Sequence, residues 1–354
     1  MCTRPAGSLA LARRRHLWHT GRVKRLIVVI IVVGVFAAVI AAFFVFGTRR
    51  PQPRAALPNP NGYDDFAAAA QWTVAWNGDL LALPREEIRA MLKQNSKALE
   101  EVHSGLKKQS AVPAQNDMNW FNGHMVHVGA HKSMAQLLIA EGIIHLEEGR
   151  TNEAARCFTD CIMFAHTAHR HGLMIDELVG IACQAIGARQ LVQVAPHVSP
   201  DERREILSEL IALDQAREPA SAIEQRDREW SRGAYGSLRS TWARFLTRKS
   251  IRAAEVSFEQ KQARSVAALW LVMTELAVRG YEAKNGKPPM TLTELVPAWL
   301  PAIPIDPFSN RPLVYRVTTN SFLLYSVGPD AKDDQGTPLK RGEMEKGDLL
   351  PTSL

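Results

Sequence analysis

The chain has 354 residues, of which 46% are hydrophobic and 22% are charged. This balance is typical of a folded protein of about two domains and excludes a disordered or fibrous chain. The net charge of +7 comes from residues 1–54, which contain ten Arg and Lys and no Asp or Glu, whereas the remaining residues contain 33 basic and 36 acidic side chains. Because nucleic-acid binding needs clustered cations, we expect no nucleic-acid partner for the mildly acidic body.

Residues 26–47 are predicted to form a transmembrane helix. They read LIVVIIVVGVFAAVIAAFFVFG, 22 residues without a charge. At about 1.5 Å per residue such a helix is roughly 33 Å long, enough to cross a hydrocarbon core of about 30 Å. The run is longer than the apolar segment of a cleavable signal peptide. We therefore expect an uncleaved anchor in the cytoplasmic (inner) membrane of a bacterium.

The basic residues that flank this run predict its orientation. Seven Arg and Lys precede it and three follow it before residue 55, which favours a basic cytoplasmic tail at 1–25 and an extracytoplasmic body. Gly34, Ala38 and Ala42 have the four-residue spacing that lets two membrane helices approach closely. The membrane is thus one predicted partner, and a homodimer through this helix is another prediction. The ordinary abundance of small residues in such spans is the alternative.

A tether and a helical body are predicted after the span. Residues 48–60 contain four prolines, which cannot sustain a helix because proline lacks an amide donor. From residue 61 to 250 apolar residues recur at three- and four-residue spacing, which predicts a helical bundle. The spacing and the turn residues predict helices at 64–78, 85–108, 120–149, 151–170, 174–194, 200–215, 219–246 and 251–285.

One part of the body resembles a tetratricopeptide helical hairpin. In residues 134–168, Gly142, Gly149, Ala154 and Phe158 have the spacing of the small and aromatic positions of that family. The resemblance implies two antiparallel helices in close contact, with Phe158 filling the gap between them. At the next period Asp176 and Cys183 stand where glycines are expected. We therefore expect a bundle, with a repeat-like binding groove as the alternative.

A histidine cluster is the first candidate for chemistry. His124, His127 and His131 lie at i, i+3 and i+7, so they share one helix face. Neighbouring members such as His127 and His131 could hold one metal ion if further ligands came from elsewhere. The alternative is a polar helix face or satisfied interior histidines. No phosphate loop, nucleophile elbow or zincin motif is present, and the acidic doublets, including Asp176 with Glu177, are typical of solvated faces and first helical turns.

The cysteines predict either one disulfide or free thiols. Cys157 and Cys161 lie one helical turn apart, a spacing that is poorly suited to a disulfide between them. Cys183 on the following helix is the better partner for either, and an extracytoplasmic body would permit such a bond. Free buried thiols are the equal alternative.

The sequence changes character at residues 251–354, where a long helix is followed by a small α+β region. Thr291 and Glu294 have capping-box spacing. Residues 313–317 and 322–327 alternate as a short antiparallel pair. The expected fold is thus mainly α, with a transmembrane helix, an extracytoplasmic helical bundle and a C-terminal module that contains a short antiparallel sheet.

Three motifs follow one another in this module: a helix ending in a Tyr…Asn-Gly turn, a Leu-Pro-x-Asp-Pro segment and a Tyr-Ser-x-Gly-x-Asp loop. Their residues here are Tyr281, Asn285, Gly286, Pro289, Leu300, Pro301, Pro304, Asp306, Pro307, Pro312, Tyr315, Tyr325, Ser326, Gly328 and Asp330. In these motifs, over about 80 residues, the module resembles the C-terminal globular part of the major pseudopilin of type II secretion systems. The chain departs from that family after Gly21, where no processing signal with Glu follows, and in the roughly 200 residues between span and module. We therefore expect no ordinary filament subunit.

The resemblance also implies a calcium ion in the final loop. Asp330 matches the family's loop acid, and Asp333, Asp334 and Asp348 could complete a shell of hard oxygen ligands. The alternative is a turn whose acids are merely solvated. Taken together, the sequence predicts a membrane-anchored envelope protein with a structural or interaction role. An association with secretion, with envelope or secretion-system proteins as partners, is part of the same prediction. The competing prediction is an anchored metal-dependent enzyme that uses the histidine cluster.

Overall fold

The computed structural model describes residues 56–75, 82–236, 248–319, 321–339 and 346–354, and most of them are helical. The predicted tail at 1–25, the span at 26–47 and most of the tether lie outside the described residues. The α-helices of the described ranges are α1 Gly62–Trp72, α2 Arg85–Gln94, α3 Ser96–Leu106, α4 Met118–Glu147, α5 Thr151–Thr167, α6 Met174–Val194, α7 Pro200–Gln215, α8 Ala220–Tyr235 and α9 Arg248–Asn285.

Local sequence signals explain where several helices begin. The side chain of Asn61 accepts a hydrogen bond from the Tyr63 amide at the start of α1, and that of Asp117 accepts one from the Trp120 amide at the start of α4. Ser199 caps α7, with a proline in its first turn. Each such cap stabilises a helix by about 1 kcal/mol. The predicted ranges 174–194 and 200–215 agree with α6 and α7.

Three predicted helices were wrong in extent. The range 64–78 ends earlier than predicted, at Trp72, because the backbone of Thr73 is extended. The range 85–108 is divided at Asn95 into α2 and α3. The side-chain oxygen Oδ1 of Asn95 accepts a hydrogen bond from the Val74 amide at 2.7 Å, and its side-chain nitrogen donates to the Met91 carbonyl at 2.9 Å, so a contact with a distant segment fixes the break. The range 219–246 contains α8, which ends at Tyr235 before Gly236 with φ +78°. Residues 237–247 lie outside the described residues.

Three antiparallel helices, α4, α5 and α6, form the centre of the bundle. A Cβ atom on Gly142 would lie 2.4 Å from the Phe158 ring, and one on Gly187 would lie 2.8 Å from the Phe158 carbonyl oxygen. Helices can approach this closely only where a residue without a side chain faces a bulky neighbour. Phe158 is fully buried there, as the hairpin pattern predicted, and its burial contributes about 2–3 kcal/mol.

The other helices surround this centre. The first helix, α1, packs against α3 and α4, whereas α7 packs against α5 and α9, and α9 also contacts α6. One helix within the described ranges, Met174–His197, is long and apolar enough to cross a membrane, with a mean hydropathy of 1.3. Since 56% of that window is buried inside the protein, a central core helix explains its composition.

The C-terminal region contains a two-stranded antiparallel sheet. Strand β1 is Val314–Val317 and β2 is Phe322–Tyr325, with Val314 opposite Tyr325. A short 3-10 turn at Leu292–Leu295 carries the predicted Thr291 and Glu294 capping box. The Trp299 ring lies against α9, where a Cβ on Gly280 would be 2.2 Å from it.

The C-terminal region shares its core with the helices. Leu295, Leu324 and Leu349 belong to the same cluster of buried residues as the bundle, and Pro351–Ser353 forms a turn that packs on α6 and α9. Residues Ala55–Leu354 therefore form a compact unit with its own core. The chain is mainly helical with one short antiparallel sheet in its described part.

Candidate functional site

The three clustered histidines near the start of α4, His124, His127 and His131, do not point to one place. His124 and His131 are buried, and His127 is only half-buried. His124 faces the first turns of α1 and α6, while His131 faces the end of α5. Each of the two buried rings therefore belongs to its own hydrogen-bonded chain.

His124 joins a tyrosine to a carboxylate. The Tyr63 hydroxyl lies 2.6 Å from His124 Nδ1, and His124 Nε2 lies 2.7 Å from Asp176 Oδ1. Since a carboxylate only accepts, Nε2 carries a proton, and in the neutral ring Nδ1 accepts the tyrosine proton. Trp120 stacks on the His124 ring with centroids 4.6 Å apart. The chain Tyr63–His124–Asp176, the relay, thus connects α1, α4 and α6.

Asp176 is held at the start of α6 by that helix's own geometry. Its Oδ2 accepts the Leu173 amide at 2.7 Å, which satisfies a helix N-terminal donor. A Cβ on Gly172 would lie 2.5 Å from the Asp176 side chain, so the turn before α6 closes tightly over the carboxylate. The acidic first turn seen in the sequence therefore contains one inward-facing carboxylate rather than a solvated doublet.

The second chain fixes the tautomers of His131 and His169. His169 Nδ1 lies 2.8 Å from the Ala165 carbonyl oxygen, which can only accept, so Nδ1 donates. His169 Nε2 then accepts from His131 Nδ1 at 2.8 Å. The His131 Nε2 lone pair is left buried without a hydrogen-bond partner. Gly180 makes room for this arrangement, because a Cβ there would lie 3.2 Å from the His169 ring.

Burial sets the protonation of these groups. Burial, followed by the charge of Asp176, raises the pKa of Tyr63 above its usual range, so its hydroxyl keeps its proton at neutral pH. Burial lowers the pKa of His131 and of His169, so both rings are neutral. Burial also lowers the pKa of His127.

The relay is enclosed rather than open to substrate. The side chains of His124 and Asp176 are both 0% exposed, and Tyr63 packs against Val112 and Ala114. General acid and base catalysis needs a group within hydrogen-bond distance of the reacting atom. The arrangement is chemically suited to stabilise the packing of α1, α4 and α6. For His124 this agrees with the alternative of a buried histidine whose hydrogen bonds are made within the protein.

In the described part of the chain, no further ligands complete the metal site predicted at His127 and His131. His131 Nδ1 is used by His169, and the described residues contain no group of three or more His, Cys, Asp or Glu that could hold a metal ion. A site at His127 and His131 therefore stays a prediction without a third ligand.

The three described cysteines, Cys157, Cys161 and Cys183, are free and buried. The Cys161 thiol donates to the Cys183 carbonyl oxygen at 3.5 Å. Burial raises the pKa of all three thiols, which makes them poor nucleophiles while the protein is folded.

The residues of the C-terminal motif contact one another. Asp306 is fully buried and accepts hydrogen bonds from the Ser326 hydroxyl at 3.0 Å and the Val327 amide at 2.9 Å. Its Oδ1 also accepts the Phe308 amide at 3.0 Å, which closes the turn that contains Pro307. These bonds tie the Asp-Pro turn to the end of β2.

Other motif residues extend the same arrangement. The Tyr315 hydroxyl donates to the Pro289 carbonyl at 2.8 Å, and the Tyr325 hydroxyl donates to Asp333 at 2.7 Å. Gly328 has φ +72°, and a Cβ there would lie 2.2 Å from the Gly347 carbonyl oxygen. Only glycine suits both the positive φ and the close approach.

Three of the four aspartates of the predicted calcium loop, Asp330, Asp333 and Asp348, accept hydrogen bonds from protein donors through their carboxylates. Asp348 accepts the amides of Asp334 and Gly336, and Asp333 accepts the Tyr325 hydroxyl and pairs with Arg316 at 3.2 Å. The Asp330 carboxylate accepts the Lys332 amide at 3.3 Å. Burial raises the pKa of Asp348, whereas the Tyr325 hydroxyl lowers that of Asp333. The described residues contain no group of three or more His, Cys, Asp or Glu side chains placed to hold a metal ion. The donor set therefore does not fit a calcium shell, and the calcium ion that the resemblance implies has no support in this geometry.

Sequence reasoning missed Tyr63 and His169 as members of the buried chains. His169 lies just after α5, and Tyr63 lies two residues after the capping residue Asn61. Nothing in the sequence around either residue indicates which distant residue it bonds to. Comparison with known proteins adds no family, because no family model, no curated protein and no solved structure matches the chain.

Proposed function

We propose that this chain is a membrane-anchored protein of the bacterial envelope with a structural or interaction role. The observation that carries the proposal is the uncharged 22-residue run at 26–47, with its excess of basic residues on the N-terminal side. Insertion of such a run is favourable by on the order of several kcal/mol, and the excess of basic residues before it supports an extracytoplasmic body.

The use of the buried polar groups supports a structural role over an enzymatic one. Tyr63, His124 and Asp176 bond to each other, and Asp306 bonds to the backbone and to Ser326. In both places the carboxylate oxygens accept hydrogen bonds from protein donors, which stabilises the unit and leaves little for a substrate. A metal-dependent enzyme using His127 and His131 is the weaker candidate.

The pseudopilin-like nature of the C-terminal module, and with it an association with secretion, is part of the same proposal. The hydrogen bonds of Asp306 support this part of the proposal, because they join the Asp-Pro turn to the end of β2 in a module of strands and turns that follows a long helix. A homodimer through Gly34, Ala38 and Ala42 is a further prediction on residues outside the described ranges.

Alkaline carbonate extraction tests the anchor. The full chain should remain with membrane vesicles after the wash, while a matched chain lacking residues 26–47 should be released. Release of the full chain would overturn the proposal. Metal analysis separates the weaker candidate, because stoichiometric zinc or iron that is lost in His127→Ala would favour the enzyme.

A further inference from the structure

One end of the helical unit combines the chain's point of entry with exposed basic and aromatic side chains. Asn61 is fixed there by two hydrogen bonds to Ala111, to its carbonyl at 2.9 Å and from its amide at 3.0 Å. The Gly62 amide donates to the Gln109 carbonyl at 2.9 Å. The direction in which the chain enters the unit is therefore set by this end of the bundle.

The C-terminal half of α8 lies across the same end. The Trp230 indole donates to the Gln115 carbonyl at 2.8 Å, and its ring lies 4.7 Å from that of Phe121. A Cβ on Gly233 would lie 2.4 Å from the Asn116 side chain. The loop at 109–117, which holds Asn61, thus also supports the last turns of α8.

We define the entry face by five exposed residues at this end: Leu57, Lys107, Arg170, Arg232 and Tyr235. Leu57 is 49% exposed and Tyr235 is 50% exposed. The Arg170 carbonyl accepts a hydrogen bond from the Val112 amide, so Arg170 lies beside the loop at 109–117.

Basic groups predominate on the entry face. Three of its five residues are Lys or Arg, against the exposed acid Asp64 in the first turn of α1. Among these described residues, basic groups outnumber acidic ones at this end of the unit.

The length of the tether limits how far this end can be from the bilayer. Thirteen residues separate Gly47, the last residue of the apolar run, from Asn61, and they span at most about 45 Å when extended. Asn61, beside the entry face, can therefore lie no more than about 45 Å from Gly47. This length permits contact between the entry face and the bilayer.

We propose that the entry face lies on the anionic lipid surface of the membrane that anchors the chain. Tyr and Trp side chains favour the membrane interface, where an apolar ring and a polar tip are both accommodated. Each Lys or Arg near an anionic surface strengthens binding about fivefold. The inference rests on the proposed anchor and adds to it a defined orientation of the body.

Vesicle sedimentation with residues 55–354 tests the face without the anchor, and these residues form a unit with their own core. The fragment should bind vesicles that contain phosphatidylglycerol and should not bind vesicles of phosphatidylcholine alone. The double variant Arg232→Glu/Tyr235→Ser should lose at least tenfold in affinity. A second variant, Arg170→Glu, should lose about fivefold.

The chain offers a matched control at the other end of α1. Trp72 is 47% exposed, and Lys97 Nζ lies 3.3 Å from its ring centroid. The variant Lys97→Glu/Trp72→Ser removes the same chemistry, and its affinity for the anionic vesicles should stay within about twofold of that of the unchanged fragment. Circular dichroism melting shows whether each variant is folded.

Two outcomes would overturn the inference. One is that the unchanged fragment fails to bind anionic vesicles, and the other is that the control variant loses as much affinity as the entry-face variants. Failure of the anchor is distinguishable, since it is seen as release of the full chain in the carbonate wash whatever the fragment does.

Discussion

Replacing Asp306 with alanine should be among the most damaging single changes in the C-terminal region. The carboxylate is fully buried and accepts the Val327 and Phe308 amides and the Ser326 hydroxyl. Without it two backbone donors lose their partners, while the hydroxyl can rotate. At about 1–3 kcal/mol for each buried unsatisfied donor, we expect a loss of about 2–6 kcal/mol.

Urea denaturation of residues 55–354, followed by circular dichroism, measures this loss. Asp330→Ala is the matched control, because its carboxylate makes one hydrogen bond at 3.3 Å in the same loop region, and it should change stability by less than about 0.5 kcal/mol. Both values should be the same with and without calcium. A loss for Asp306→Ala as small as that of the control would refute the argument from buried donors.

Three further predictions concern the helical core. Gly142→Val should destabilise the unit by about 1–3 kcal/mol, because even a Cβ would lie 2.4 Å from the Phe158 ring; Gly129→Ala, where no atom lies within 4 Å, should be neutral or stabilising in the same thermal melts. Burial lowers the pKa of His166 to about 3. As the pH falls below about 6.5, the unfolded chain therefore binds a proton at this histidine while the folded chain does not, and the free energy of unfolding decreases. The melting temperature should decline from pH 6.5 towards pH 4, where the loss is about 3 kcal/mol, and His166→Gln should flatten the decline; an equally steep decline in the variant would contradict this. The three buried cysteines should react with a thiol reagent only after unfolding, and reaction in the folded state would show that they are accessible.

Local signals predicted much of the helical architecture, because caps and prolines act over a few residues. Ser199 with Pro200 marked the start of α7, and the alternation after residue 313 marked the strands. The break at Asn95 was missed because its cause is a hydrogen bond to Val74, 21 residues away. Such a contact leaves no periodic trace in the sequence.

The candidate site was less accessible from the sequence for the same reason. The spacing of His124 and His131 placed them on one helix face, but their partners come from other helices. Tyr63 is 61 residues from His124, and Asp176 is 52 residues from it. The sequence pattern contains no information on how the helices pack. That packing places His124 and His131, which share one helix face, in two separate enclosed chains of hydrogen bonds.

The account depends most directly on which side of the membrane the body lies. An alkaline phosphatase fused after Leu354, which is active only outside the cytoplasm, should be active in cells that express the full chain and inactive when residues 26–47 are deleted. An inactive fusion to the full chain, together with activity of a cytosolic reporter at the same position, would contradict the anchor and the orientation of the body.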